Sequence, residues 1–162
     1  MINRFGRPFK SIEQMDETIL KRWNDRVKEN DIVYVLGDVC WGYNSQKIEK
    51  TIGKLNGIKH LIYGNHDRLG PHKLSKVWAT MQPYLDTTIE NKQVVMMHYP
   101  IADWHGAYRK SIHLYGHCHG NFDLASIAQN LPHHNNRCMD VGVDTNNFYP
   151  YSWDEIKAKL SL

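Results

Sequence analysis

The sequence lacks most of the features that would set it apart from an ordinary globular protein. No apolar run approaches the ~20 residues that a membrane-spanning helix needs. The opening stretch MINRFGRPFK has no signal-peptide core. Both absences lead to the expectation of a soluble, cytoplasmic protein with no membrane partner. Cysteine is scarce: Cys40, Cys118 and Cys138 are an odd number without framework spacing, which excludes a disulfide scaffold and favours a reducing compartment. No tract is biased enough to remain disordered, and neither a repeat nor a linker divides the chain. The net charge is only +3. That value suits an anionic phosphate partner but gives little support for nucleic acid. With 162 residues, the chain fits one domain, residues 1–162, able to bury its own core.

What the sequence does hold is histidine, ten in all, and short apolar runs that stop abruptly. Apolar residues at helical spacing predict a helix from Ser11 to Glu29, with Ser11 and Gln14 as its capping pair. Ile32–Leu36 reads as a strand buried on both faces and stops at Gly37–Asp38. A helix is predicted over Ser45–Leu55. The strand Ile58–Tyr63 follows and stops at Gly64–Asn65–His66–Asp67. Further on come a short helix over Pro71–Ala79, a strand Gln93–Met97 ending at His98, and a strand Ile112–Tyr115 ending at Gly116–His117–Cys118–His119. Ala125–Arg137 reads as a polar surface excursion. Met139–Val143 is a late strand, and Ser152 with Glu155 caps a final helix. The fold class is α/β. Four strands deliver Asp, Asn or His at their ends, and in open α/β sheets such ends gather around ligands.

These clusters can act as metal ligands. Asp38 offers two carboxylate oxygens able to bridge two cations, Asn65 an amide oxygen, and His98, His117 and His119 imidazole nitrogens. A mixed O/N set suits Mn²⁺, Fe or Zn²⁺ better than Mg²⁺ or Ca²⁺. A pair of metals about 3.5–4 Å apart would clamp the attacking and leaving oxygens of a phosphoryl transfer. His66 is placed to serve as the spare acid, and Asp67 could fix its tautomer. Taken singly, Gly37–Asp38 is an ordinary turn, and Gly64–Asp67 is equally compatible with one. Two histidines between glycines seldom serve packing. A zinc site centred on Cys118 lacks a second Cys–x–x–Cys pair. His60, His72, His113, His133 and His134 read as structural or solvated, whereas His105 could line the pocket.

In this order, Gly37–Asp38, Gly64–Asn65–His66–Asp67, His98 and Gly116–His117–Cys118–His119 resemble the successive motifs of the calcineurin-like metallophosphoesterase superfamily. Arg7–Pro8–Phe9, Val33–Asp38, His98–Tyr99–Pro100 and Val141–Gly142–Val143–Asp144 resemble its small bacterial and phage branch, over almost the whole chain. The resemblance implies a sandwich of two mixed β-sheets flanked by helices, with a two-metal centre at the strand ends. It implies that Asp38, Asn65, His98 and His117 hold one metal. Asp38 then bridges to a second metal that His119 helps to hold, and His66 assists the leaving group or binds phosphate.

The family's opening strand, ending in Asp–x–His, has no counterpart ahead of Ile2–Asn3–Arg4–Phe5. The expectation is a fold with its first strand missing, one complete metal site, and a second site reduced to Asp38 and His119. Three accounts fit: a misassigned start, a short form with weak activity, or a homo-oligomer in which another chain covers the gap. The expected activity is hydrolysis of a phosphate mono- or diester by metal-activated water, with Arg4 or Arg7 as candidate phosphate contacts. The rival is a metal-binding or interaction protein that keeps the fold without turnover.

Overall fold

Ser11 starts the first helix, α1 (Ile12–Arg26): its hydroxyl accepts the Gln14 amide, while the Gln14 side chain reaches back to the Lys10 amide. The computed structural model describes residues 2, 5–39, 44–67, 76–131 and 136–162. After α1 come β1 (Ile32–Val35), α2 (Ser45–Ile52, capped by Asn44), β2 (Ile58–Ile62), β3 (Thr80–Gln82), β4 (Tyr84–Ile89) and β5 (Lys92–Met97). A 3-10 turn at Ala107–Arg109 leads to β6 (Ile112–Tyr115), α3 (Leu124–Ala128) and β7 (Cys138–Asp140). A second 3-10 turn, Val143–Asn146, precedes α4 (Trp153–Leu160), whose Ser152 and Glu155 form a reciprocal capping box.

The strands form two sheets. In the first, β1, β2 and β3 are parallel, with Ile32 opposite Ile58 and His60 opposite Thr80. In the second, β4 runs antiparallel to β5, while β5, β6 and β7 are parallel. Among the described residues, β1 and β7 each pair on one side only.

Side-chain alternation sorts the core into layers. Tyr34 and Ile62 from the first sheet, with Leu36 just beyond β1, meet Val94, Met96, Ile112 and Leu114 from the second, closed by Ile156 of α4. The opposite face of the first sheet packs Val35 and Leu61 against Ile48 and Ile52 of α2. The outer face of the second packs Val95 and Tyr115 against Trp104, Leu124 and Ala128. The protein is therefore α/β, with two sheets sharing a core. Ile62, Val94 and Ile112 have no exposed surface, and burying each contributes about 1.5–3 kcal/mol.

Several expectations need correction. The predicted Ser11–Glu29 helix ends at Arg26. The Ala125–Arg137 stretch opens inside α3, where Leu124 and Ala128 are buried and Asp123 caps the turn. The late strand is Cys138–Asp140, because Val143 already belongs to a 3-10 turn. Residues 71–75 of the expected helix Pro71–Ala79 lie outside the described residues, as do Arg4, Cys40, His72, His133 and His134; Lys76–Ala79 is not helical. Among the described residues no helix is long and apolar enough to cross a membrane.

Candidate metal centre

The parallel strands β1 and β2 end side by side, and their following loops interlock. Gly37 has φ +83°, and a Cβ there would lie 2.6 Å from His98 Nδ1 and against the Gly64 backbone. Gly64 is equally confined, with Asp38 N 2.6 Å from the place a Cβ would take. Only glycine permits this approach. The two loops then exchange hydrogen bonds. The Asp38 amide donates to Asp67 Oδ2 (2.7 Å), and the His66 amide donates to Asp38 Oδ1 (2.8 Å).

Asp67, expected from the sequence to orient His66, is engaged by the backbone of both loops. Its carboxylate accepts three backbone amides, those of Asp38, Val39 (3.2 Å) and Gly64 (2.8 Å). Three charge-assisted bonds exceed what one imidazole N–H could offer. They hold Asp38 at φ +55°, a left-handed conformation that normally costs an L-residue about 1–2 kcal/mol. His66 keeps its place beside the cluster, with Nε2 4.0 Å from Asp38 Oδ2 and its side chain 27% exposed.

His98, at the end of β5, is 1% exposed and is the centre of the arrangement. Its Nδ1 donates to the Leu36 carbonyl at 2.6 Å, which leaves Nε2 as the electron-pair donor of a neutral ring. That Nε2 lies 3.0 Å from Asn65 Oδ1, 3.1 Å from His117 Nδ1 and 3.4 Å from Asp38 Oδ2. Donor atoms of Asp38, His98 and His117 all lie within 4.8 Å of one another. Acceptor atoms from four chain segments thus face a common centre, and one proton on His98 can satisfy only one of them. A cation at that centre would satisfy all four, so the donor set fits a divalent metal with mixed O/N preference.

The same contacts set the electrostatics of the cluster. Burial alone would depress the pKa of His98, but its hydrogen bonds to Asp38 and to the Leu36 carbonyl outweigh it and raise the value. Burial pushes Asp38 up, yet its bonds to His98 and to the His66 amide bring it below the ordinary carboxylate range. Burial, and then the neighbouring His98, depress His117, which favours the neutral ring a metal requires. The Tyr99 ring sits edge-on to both histidines, with centroids 5.0 Å from His98 and 4.8 Å from His117.

His117 and His119 flank Cys118 in a tight turn, with φ +67° and +51° respectively. The Asp140 carboxylate braces the turn, accepting the amides of Gly120 (2.9 Å) and Gly142 (2.8 Å). Cys118 packs against the outer core cluster, and burial raises its thiol pKa. His119 does not belong to the group formed by Asp38, His98 and His117. Its Nδ1 instead pairs with Asp144 Oδ2 at 2.7 Å. Arg7 binds Asp144 through two nitrogens, so its guanidinium is committed to that carboxylate and is not the open phosphate contact anticipated. His105 bonds to Asp86 and Gln93 on the outer face of the second sheet. It lines a cavity there with Tyr84 and Trp104, apart from the cluster.

No protein-family model matches the chain. It is 41% identical over 71 residues to an uncharacterized protein of Methanocaldococcus jannaschii, an overlap of 43% of this chain and 40% of that protein's length. Gene 66 proteins of Mycobacterium phages D29 and L5 are each 26% identical, covering 80% and 82% of this chain and 75% of each phage protein. Among solved structures, the protein of unknown function AQ665 from Aquifex aeolicus superposes over 98% of this chain and 90% of its own, with a TM-score of 0.75 at 24% identity. The chain therefore shares its fold with the Aquifex protein.

Proposed function

We propose that this protein is a metal-dependent phosphoesterase of the calcineurin-like class that hydrolyses a phosphate mono- or diester. The observation carrying the proposal is the convergence of Asp38, Asn65, His98 and His117 from four chain segments on one centre, with His66 beside it. On this reading the two-sheet architecture is a metallophosphoesterase-like sandwich, and the protein works in the cytoplasm.

Asp38, Asn65, His98 and His117 would hold a divalent cation, with Mn²⁺ preferred and Fe or Zn²⁺ as alternatives, and His119 would serve a second, incomplete site. When bound, such ions supply Lewis acidity at the phosphoryl group and activation of water. The chain does the rest. The Leu36 carbonyl fixes the tautomer of the neutral His98 ring, so that its lone pair sits on Nε2. Asp67 fixes the backbone of Asp38, so its carboxylate enters the site at one angle. His66, 27% exposed at the edge of the cluster, can contact a phosphoryl oxygen or give a proton to the leaving oxygen.

A folded, Mn²⁺-loaded sample should hydrolyse bis(p-nitrophenyl) phosphate above the buffer rate. His66→Ala should lower kcat by about 10²–10⁴-fold, and His117→Ala should abolish turnover together with tight Mn²⁺ binding. The separation of His119 from the group of Asp38, His98 and His117 favours one alternative, a protein that binds metal without turnover. Tight Mn²⁺ binding with no hydrolysis in that assay would select it.

A further inference from the structure

Arg7, His119 and Asp144 come from three remote parts of the chain and meet in one chain of ionic hydrogen bonds. Arg7 Nε and Nη2 reach Asp144 Oδ1 and Oδ2 at 2.6 and 2.7 Å, the two-pronged geometry that a guanidinium makes with a carboxylate. Asp144 Oδ2 also accepts His119 Nδ1 at 2.7 Å. The Arg7 and Asp144 side chains are only 10% and 12% exposed. A carboxylate this buried is costly unless paired, and here all of its strong contacts lie on one ion-pair network. The two-pronged contact with Arg7, whose guanidinium is always charged, keeps the carboxylate ionised.

An ionised carboxylate only accepts, so His119 must carry its proton on Nδ1, and Nε2 must carry the lone pair. The ring is also held from its face: Phe5 stacks on it with centroids 3.9 Å apart and planes 23° apart. Its backbone is fixed in the left-handed region at φ +51°. Tautomer, ring plane and backbone are therefore all set before any ligand arrives. That degree of control exceeds what a packing histidine needs.

We propose that Asp144, itself locked by Arg7, is a positioning residue that fixes the tautomer and aim of His119, so that Nε2 is presented to a divalent cation. This rests on the reading of His119 as a ligand of the weaker, second site. The N-terminal segment then belongs to the metal centre, through Arg7 to Asp144 and through Phe5 to the ring of His119. Loss of such a carboxylate behind a metal-binding histidine typically lowers metal affinity about 10–100-fold.

Mn²⁺ titration by calorimetry, at equilibrium and without substrate, tests this. The parent should show a tight class and a weaker class of sites. His119→Ala should remove the weaker class, and Asp144→Asn should weaken it about 10–100-fold while leaving the tight class unchanged. Arg7→Lys keeps the charge but loses the fork, so it should weaken the same class by less. It also keeps the proposal testable if Asp144→Asn unfolds. A cobalt absorption spectrum should change in the Asp144→Asn protein, as a purely structural contact would not require. If Asp144→Asn and Arg7→Lys bind both classes like the parent while His119→Ala loses one, the positioning role is overturned and the ligand reading stands. If the parent has one class, or His119→Ala changes nothing, the ligand reading itself fails and takes the inference with it.

Discussion

Around His98, lone pairs of Asp38, Asn65 and His117 face one another with at most one proton to share. Around Asp144, donors and acceptors alternate, from Arg7 to the carboxylate to His119, and each strong contact is already made. The first region gathers acceptors that one cation would satisfy together; in the second the carboxylate is satisfied by protein donors. Both stand on positive-φ backbone, at Asp38 and His117 in one case and at His119 in the other, and such strain gathers where function requires it. The difference teaches that neighbouring histidines can sit in opposite electrostatic roles. His117 belongs to a cluster of acceptors, whereas His119 is held by a donor–acceptor network beside it.

The strongest way to break the comparison is to damage the first region and spare the second. Gly37→Ala would place a methyl group 2.6 Å from His98 Nδ1 at a backbone with φ +83°. We expect a loss of about 3 kcal/mol from overpacking and left-handed strain combined. That corresponds to about 6–12 °C in thermal melting for a domain near this size, with Mn²⁺ binding lost. An unchanged melt would show that the loops do not interlock as described.

Asp67→Ala should come next, at about 2–3 kcal/mol, because three amides lose a charged acceptor. Chemical denaturation measures it, and the pH dependence of any turnover should keep its shape, since the Asp67 carboxylate is engaged by three backbone amides. A shifted pH profile would restore the tautomer-fixing role. Arg7→Met sharpens the other side. Leaving Asp144 buried with only its His119 bond should cost up to about 3 kcal/mol, the low end for a broken buried pair, with tight Mn²⁺ binding retained.

A smaller effect concerns pH in the metal-free protein. The folded pKa of His98 is raised above its ordinary 6.5. Protonated His98 therefore contributes stability that is complete below pH ~6.5 and is lost as pH rises through the folded value. Asp38 is depressed, so its contribution is present above pH ~3.9 and is lost as pH falls through its folded value. Melting scans of metal-free protein should decline slightly from pH 6 toward 8. Saturating Mn²⁺, which must displace the proton, should abolish that decline. Smallest of all, Cys138 has its thiol pushed up to about 11 by burial, and native protein should resist alkylation there at neutral pH, as mass spectrometry would record.

The first region was readable in the sequence because short apolar strands run into Asp38, Asn65, His98, His117 and His119 at their ends, although β1 is only partly buried. The grouping of Asp38, Asn65, His98 and His117 as one ligand set came from the resemblance to a known family rather than from that pattern. The second region was not readable: Arg7 and Asp144 lie 137 positions apart, and no local pattern announces their pairing. Asp67 was assigned to its sequence neighbour His66, and no local pattern announced that it gathers amides from two loops. The hairpin of β4 and β5 was missed because its strand alternates through Asp86, Thr87 and Thr88, and its turn uses Glu90 and Asn91 at φ +45° and +64°. Asparagine–glycine would have signalled that turn; glutamate–asparagine does not. The short β3 and α3 lack the length for periodicity to be visible.

The most direct test of the metal centre is Mn²⁺ binding followed by electron paramagnetic resonance in the parent and in Asn65→Ala and His117→Ala proteins. The predicted result is tight binding in the parent and weakening of about tenfold or more in each variant. Equal binding in all three would contradict the assignment of the site.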